Sequence, residues 1–276
     1  MTNSKHGFTL IEMIIVILII GILSGILFMV LRGPMQSFVD VEKRTQLVDI
    51  ADTALQRMTR EIRLALPNSI RVTGGTTVEF LRTLDGGRYR AKPSGGAGTG
   101  VCGGPVAQDR LNFALTGDCF EVMGTLNNFA SIDTTGTCID SSSDCLVIFN
   151  TGQTGADAYN GDNIANVTGA TANSITFTGA PPFPYKSPRQ RFFIVDTPVS
   201  FVCSGGQITR HDDYTIGGAV GAGNLLVNKV SACNFKYDPG SATRAALVSL
   251  SITIQDATLG GGNVTLLQQV HVDNQP

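Results

Sequence analysis

The chain opens its hydropathy pattern with an almost unbroken apolar run. From Phe8 to Leu31 it reads FTLIEMIIVILIIGILSGILFMVL, greasy on every side and carrying one charge, Glu12. A helix needs about 20 mainly apolar residues to cross the hydrocarbon core of a bilayer, so the run predicts a membrane-spanning helix. A secretory signal has a shorter apolar region, about 7–15 residues, followed by a small-residue cleavage site. Leu31-Arg32-Gly33-Pro34 offers no such site. The pattern then changes period without stopping. Gln36 to Leu66 contains no Gly or Pro, and Leu47, Ile50, Ala51, Ala54, Leu55, Met58, Ile62 and Leu66 recur at steps of three and four. Asp49, Asp52, Gln56, Arg60 and Arg63 fill the other face. Arg60 and Arg63 suit the negative end of the helix dipole, and Pro67-Asn68-Ser69 stops the helix. Together the two patterns predict one rod over 8–66, about 85–90 Å long. Gly21, Ser24-Gly25 and Gly33-Pro34 are its candidate bends.

After residue 67 the period becomes two. In Arg244–Gln255, Val248, Leu250, Ile252 and Ile254 alternate with Ser249, Ser251, Thr253 and Gln255, which predicts a half-buried strand. Past Gly260-Gly261-Gly262-Asn263, Val264, Leu266, Val270 and Val272 resume the alternation, with Gln268 at the middle position, so the pair predicts a hairpin. Further strands are predicted at Thr77–Arg82, Arg110–Leu115, Cys145–Asn150, Ser174–Thr178, Gln190–Asp196, Val199–Cys203 and Ala232–Tyr237. Gly95–Gly104 and Gly217–Gly223 predict loops. The expected fold class is α+β: a long N-terminal membrane-spanning α-helix packed on a β-rich, disulfide-containing C-terminal domain.

Composition narrows the function. A net charge of −2 with 15% charged residues argues against a polycationic nucleic-acid binder. Three His and no C-x-x-C pair argue against a zinc site. All six cysteines, Cys102, Cys119, Cys138, Cys145, Cys203 and Cys233, follow residue 100, and an even number suits an oxidising compartment. Many pairings are open; the short-range set Cys102–Cys119, Cys138–Cys145 and Cys203–Cys233 is the working expectation. Lys5 ahead of the span is outnumbered by Arg32, Lys43 and Arg44 after it, so flanking charge does not orient the helix. The cysteines do: short N-terminus inside, body outside.

Four constellations invite chemistry, and each has a plainer reading. His211-Asp212-Asp213 near Ser204 lacks a G-x-S-x-G elbow and reads as a solvated turn. Asp157-Ala158-Tyr159-Asn160-Gly161-Asp162-Asn163 resembles a calcium loop without its spacing or closing Glu, and reads as a turn. Arg57, Arg60, Arg63, Arg71, Arg88 and Arg90 suggest a DNA-binding face, but Asp49, Asp52 and Glu61 interleave with them. The glycine-rich loops lack the Lys-Ser/Thr of a phosphate cradle. Glu12 differs from all of these. A carboxylate at the centre of a span costs about 2.5–3.5 kcal/mol on insertion scales, and less near the interface, so it is functional by default. The plainer alternative is that it complements the positive helix N-terminus near the headgroups.

Lys5-His6-Gly7-Phe8-Thr9-Leu10-Ile11-Glu12 resembles the prepilin cleavage and methylation signature of type IV pilins and type II secretion pseudopilins. That resemblance implies a prepilin leader, 1–7, removed by a prepilin peptidase between Gly7 and Phe8 on the cytoplasmic side, then N-methylation of Phe8. It implies a transmembrane and filament-core helix over 8–31, its amphipathic continuation over 32–66, and an exported globular domain over 67–276. Glu12 would pair with the Phe8 amine of a neighbouring subunit during assembly. The proline common in the middle of pilin spans is absent here, and Pro34 lies later. Ala65–Val72, Gly87–Arg90, Arg191–Val199 and Gln269–Pro276 further resemble minor pilins of the mannose-sensitive haemagglutinin (MSHA) pilus system. The long body favours a minor subunit and its bulk favours the pilus tip. Expected partners are the peptidase, other minor and major pilins, the inner-membrane assembly platform and membrane lipid. Expected localisation is the inner membrane, single-pass, with a periplasmic body later incorporated into the pilus. The expected function is to initiate, prime or cap an MSHA-type pilus, with no enzymatic activity, cofactor, metal or catalytic residue. The alternatives are a J-like minor pseudopilin of type II secretion, or a pilus-tip protein binding DNA or surface glycans, which is compatible with the same anchor.

Overall fold

The structure, a computed structural model, describes residues 7–115, 117–138, 143–178, 183–241, 245–255 and 262–276, and within them not the side chains of 32–34 and 36–37. Met1–His6 of the expected leader, Arg244 and the Gly260-Gly261 turn lie outside the described residues.

One helix, α1 (Leu10–Ile62), runs 53 residues without a break, about 80 Å. It passes through Gly33-Pro34, where proline removes one amide from the ladder without ending the helix. Two expected boundaries are corrected. The start moves from Phe8 to Leu10 because Thr9 holds an extended backbone and serves as the N-cap. The end moves from Leu66 to Ile62: the Leu64 and Ala65 amides turn back to Glu61 and Ile62. A sheet then captures the chain, with Leu66 N–H donating to Leu81 O at 2.8 Å and Thr83 N–H to Leu64 O at 2.7 Å.

Among the described residues the larger sheet has nine strands, all paired antiparallel: β1 (Arg71–Thr73), β2 (Thr77–Arg88), β3 (Gly117–Glu121), β4 (Cys145–Val147), β5 (Ile164–Ala170), β6 (Ser174–Thr178), β7 (Arg191–Ser204), β8 (Gln207–His211) and β9 (Asn224–Asn228). Its main path is β1-β2-β7-β4-β5-β6-β3, with β8 on β7 and β9 on β8. The smaller sheet is β10 (Val230–Asp238), β11 (Ala246–Gln255) and β12 (Asn263–Val272), in that order. The Phe235 amide donates to Gly75 O at 2.8 Å, and the Cys203–Cys233 disulfide ties β7 to β10, so the two sheets meet there.

α1 lies on the smaller sheet, chiefly over β12. Leu47, Ala51, Ala54, Leu55, Met58 and Ile62 are buried against Val248, Leu250, Ile252, Ile254, Val270 and Val272, with Phe80 and Phe201 closing the cluster. Ile50 departs from the expected buried face: it flanks the contact stripe and is 39% exposed. A second, aromatic core lies within the larger sheet around Tyr89, Phe120, Phe177 and Phe192, where the Phe120 and Phe192 rings meet edge-on at 5.2 Å.

Among the expected strands, Ser174–Thr178 forms as read and the 244–255/264–272 hairpin pairs in continuous register from Ala246–Val272 to Gln255–Asn263. Arg110–Leu115 is not a strand. Leu111 and Phe113 instead plug the aromatic core from a turn. Cys145–Asn150 stops at Val147, because Phe149 takes a left-handed backbone (φ 57°). Gln190–Asp196 and Val199–Cys203 are one strand, β7. Pro198 sits inside it beside a register shift in β2, where a missing amide is tolerated. The strands β1, β3, β5, β8 and β9 were not anticipated.

Candidate functional site

The segment Gly7–Glu12 begins the helix with reciprocal capping. Thr9 Oγ1 accepts from the Glu12 amide at 3.4 Å, and Glu12 Oε2 accepts from the Thr9 amide at 3.0 Å. Thr9 Oγ1 also lies 3.2 Å from the same carboxylate oxygen. This is a capping box, written in the sequence as Thr9-x-x-Glu12, a signal that singling out Glu12 alone overlooks. Its consequence is directional. The carboxylate is folded back over the first turn toward the residue preceding Thr9, which is Phe8.

Gly7 has no role in this fold that requires glycine. A Cβ there would meet nothing within 4 Å. Phe8 is exposed, and so is every residue of the 22-residue apolar stretch Leu10–Leu31, none of it buried inside the protein. Apolar side chains left bare on this scale need another medium, lipid or partner helices. One face of the same helix is buried from Leu47 onward, so α1 joins an unpartnered apolar half to a body-bound half.

The expected disulfide cysteines pair as Cys102–Cys119, Cys138–Cys145 and Cys203–Cys233, with Cα separations of 5.7, 5.0 and 6.5 Å, and no cysteine is free. The other constellations are absorbed by the structure. His211 Nε2 and Nδ1 each lie 2.8 Å from a partner, Thr209 Oγ1 and Gly221 O, so the ring anchors the 217–223 loop. Asp212 pairs with Arg210 rather than with His211. Asp157 accepts from Tyr159 N–H and from Arg71, whose guanidinium stacks 3.6 Å above the Tyr159 ring. Asp162 accepts from Gly155 N–H. Among the described residues no cluster of three or more metal-ligating side chains exists. In the arginine group, Arg57 pairs with Glu61, Arg71 with Asp157 and Arg90 with Glu121, so half of its charges are matched locally.

One polar cluster was illegible in the sequence because its members are far apart. Arg82 binds Asp196 at the end of α1, and Arg210 Nε donates to Glu61 Oε2 at 2.6 Å. Burial raises the Asp196 carboxyl above its ordinary range, with Arg82 opposing the rise. Asp144, buried nearby, is pushed up to about 6 by burial, aided by the charges of Asp196 and Asp133 and opposed by Arg82 and by the Asp133 amide it accepts from. The Arg210–Glu61 pair ties the helix end to β8, whereas Arg82–Asp196 joins β2 to β7; none of these groups lies near the Gly7–Glu12 segment in sequence.

Residues 2–28 match the family model described as the prokaryotic N-terminal methylation motif. No curated protein and no solved structure matches the chain. The match supports an N-terminus like that of type IV pilins and pseudopilins, of the kind a prepilin peptidase processes, and among the described residues one helix is long and apolar enough to cross a membrane. The match covers the exposed helix start and not the β body.

Proposed function

We propose that this chain is a non-enzymatic minor pilin that helps to initiate, prime or cap an MSHA-type pilus, in the manner of the minor pilin MshO. It waits in the inner membrane with its body in the periplasm. After cleavage between Gly7 and Phe8, and methylation of Phe8, it enters the filament through α1. The single observation that carries this reading is the join within α1. An apolar half with no partner in the protein, headed by Gly7, Phe8 and the folded-back Glu12 carboxylate, continues into a half fixed on the body.

The chemistry of assembly follows from desolvation. Cleavage gives Phe8 an amine, and Glu12 lies one helical turn on. In lipid neither charge is well solvated, so a neighbour's amine and this carboxylate stabilise one another and set the axial register. Other minor and major pilins supply that neighbour, and the assembly platform extracts the subunit. The choice of the MSHA system rests on the resemblance read in Ala65–Val72, Gly87–Arg90, Arg191–Val199 and Gln269–Pro276.

Intact-mass spectrometry of the chain from native membranes tests the processing step. The expected mature chain begins at methylated Phe8. Gly7→Leu leaves the precursor uncut although the fold has room for a side chain there. A mature chain beginning elsewhere contradicts the reading. Loss of piliation with intact protein secretion in a deletion strain supports the pilus; the reverse would assign the chain to type II secretion as a J-like pseudopilin.

A further inference from the structure

We infer that β12 is a docking edge for an extended strand of a different protein, which adds to the smaller sheet as its fourth strand. Among the described residues β12 pairs only with β11, so one side of its backbone is open over ten residues. Natural proteins blunt such edges with charges, proline, bulges or shortness. Asn263–Val272, NVTLLQQVHV, contains no Asp, Glu, Lys, Arg or Pro, and its pairing shows no register shift.

The other edges are all defended. β3 is five residues long and carries Asp118 and Glu121, β1 has three residues, and β9 has five and sits beside a register shift. β10 has a register shift and is tied to the larger sheet by Cys203–Cys233 and by the Phe235 amide. β12 alone among them is long, regular and uncharged.

The layer beneath this edge is also open. α1 packs over β12 more than over β11. Val264 and Leu266 face the helix side only partly buried, and on the opposite row Leu267 is 63% exposed. An incoming strand therefore needs alternation: apolar residues toward α1 to complete the cover of Val264 and Leu266, and uncharged polar residues on the row of Thr265 and Gln269. Such pairing adds main-chain hydrogen bonds for affinity and alternate side chains for specificity.

A second copy of this chain meets the chemistry but not the geometry. Two β12 strands paired antiparallel, with their apolar rows on one side, are related by a two-fold axis perpendicular to the sheet. That operation reverses every direction in the sheet plane. α1 lies flat on the sheet from Leu47 to Ile62, so the two apolar spans would point in opposite directions and could not share one membrane. Pairing β12 to β12 in parallel sets the apolar row of one copy against the solvent row of the other. The occupant is therefore a strand from another protein. The choice of partner rests on the membrane anchoring above; the open edge does not.

Two measurements on the full-length chain test this. The first uses the synthetic, end-blocked decapeptide NVTLLQQVHV, which has the required alternation and no anchor, added to the protein in detergent micelles. Hydrogen exchange is expected to slow at alternate amides of β12, and a scrambled peptide of the same composition to have no effect. Leu267→Lys, placed on the exposed row, is expected to weaken binding at least about tenfold with an unchanged melting temperature. Should that variant misfold, Thr265→Lys takes its place. The second places a photo-crosslinking residue at 265, 267 and 269 in cells. Adducts with one foreign chain are expected, moving along it two residues per step. No protection by the peptide, binding by the folded charged variant equal to that of the parent, self-adducts, or adducts without that stepwise progression would each overturn the proposal; failure of pilin processing at Gly7 would leave the edge result standing.

Discussion

At the residue scale, two tasks fall on one carboxylate if the proposed function holds. Within the subunit Glu12 caps the first helical turn with Thr9; in the proposed filament it is expected to meet a neighbour's amine. The two tasks separate by substitution, because Glu12→Gln keeps a hydrogen-bond acceptor but no charge, whereas Thr9→Ala costs the cap about 0.5–2 kcal/mol and keeps the charge. Asp144 gives a second residue-level test. Its carboxyl titrates near 6 in the fold against an ordinary value of 3.8. Between those values the folded chain holds a proton that the unfolded chain has released, so this group lowers stability as pH rises through that window. Asp144→Asn keeps an oxygen for the Asp133 amide, 2.8 Å away. The variant is expected to be more stable than the parent at pH 7, by about 1–3 kcal/mol, and to lose that advantage near pH 4. Urea midpoints at the two pH values, measured on the full chain in detergent, provide the check; an equal gain at both would contradict the assignment.

At the element scale, α1 was legible because both of its periods are local: every-side apolar to Leu31, then steps of three and four. The β11–β12 hairpin was legible for the same reason, since its alternation needs no partner to be seen. The strands that escaped notice are short or glycine-bearing. β3 is Gly-Asp-Cys-Phe-Glu and β5 contains Gly169, and both owe their extension to β6, which pairs with each. Long-range pairing decides them, not local pattern. Gly7–Glu12 could be read because the whole signature is contiguous; the Arg82–Asp196 and Arg210–Glu61 pairs could not, being 114 and 149 residues apart. The contact stripe of α1 makes a direct prediction. Met58 is fully buried, so Met58→Ala is expected to destabilise the body by about 2–5 kcal/mol, whereas Asp52→Ala on the exposed face stays within about 0.5 kcal/mol. Chemical denaturation followed by near-ultraviolet circular dichroism measures both. Similar effects from the two would mean the helix does not dock as described.

At the scale of the whole molecule, one helix joins a bare apolar rod to a two-sheet body. The body is braced where its sheets meet, by Cys203–Cys233 and by Asn274, which bonds to Asn68 of the chain leaving α1 and to Tyr237 of β10. Each disulfide is expected to contribute about 2–4 kcal/mol. Alkylation of the non-reduced, denatured exported chain is expected to label no cysteine, and labelling of two or more would contradict this pairing and the oxidising compartment. The central claim is that the bare half of α1 exists to be packed into a filament, with Glu12 setting its register. The most direct measurement is surface piliation and membrane abundance in a strain whose only copy carries Glu12→Leu, with Glu12→Gln and Thr9→Ala beside it. The account predicts normal insertion and cleavage throughout, a large loss of piliation for Glu12→Leu, an intermediate loss for Glu12→Gln and a small one for Thr9→Ala. Unchanged piliation in the Glu12→Leu strain at normal membrane levels would contradict it, and would leave α1 as no more than a tether.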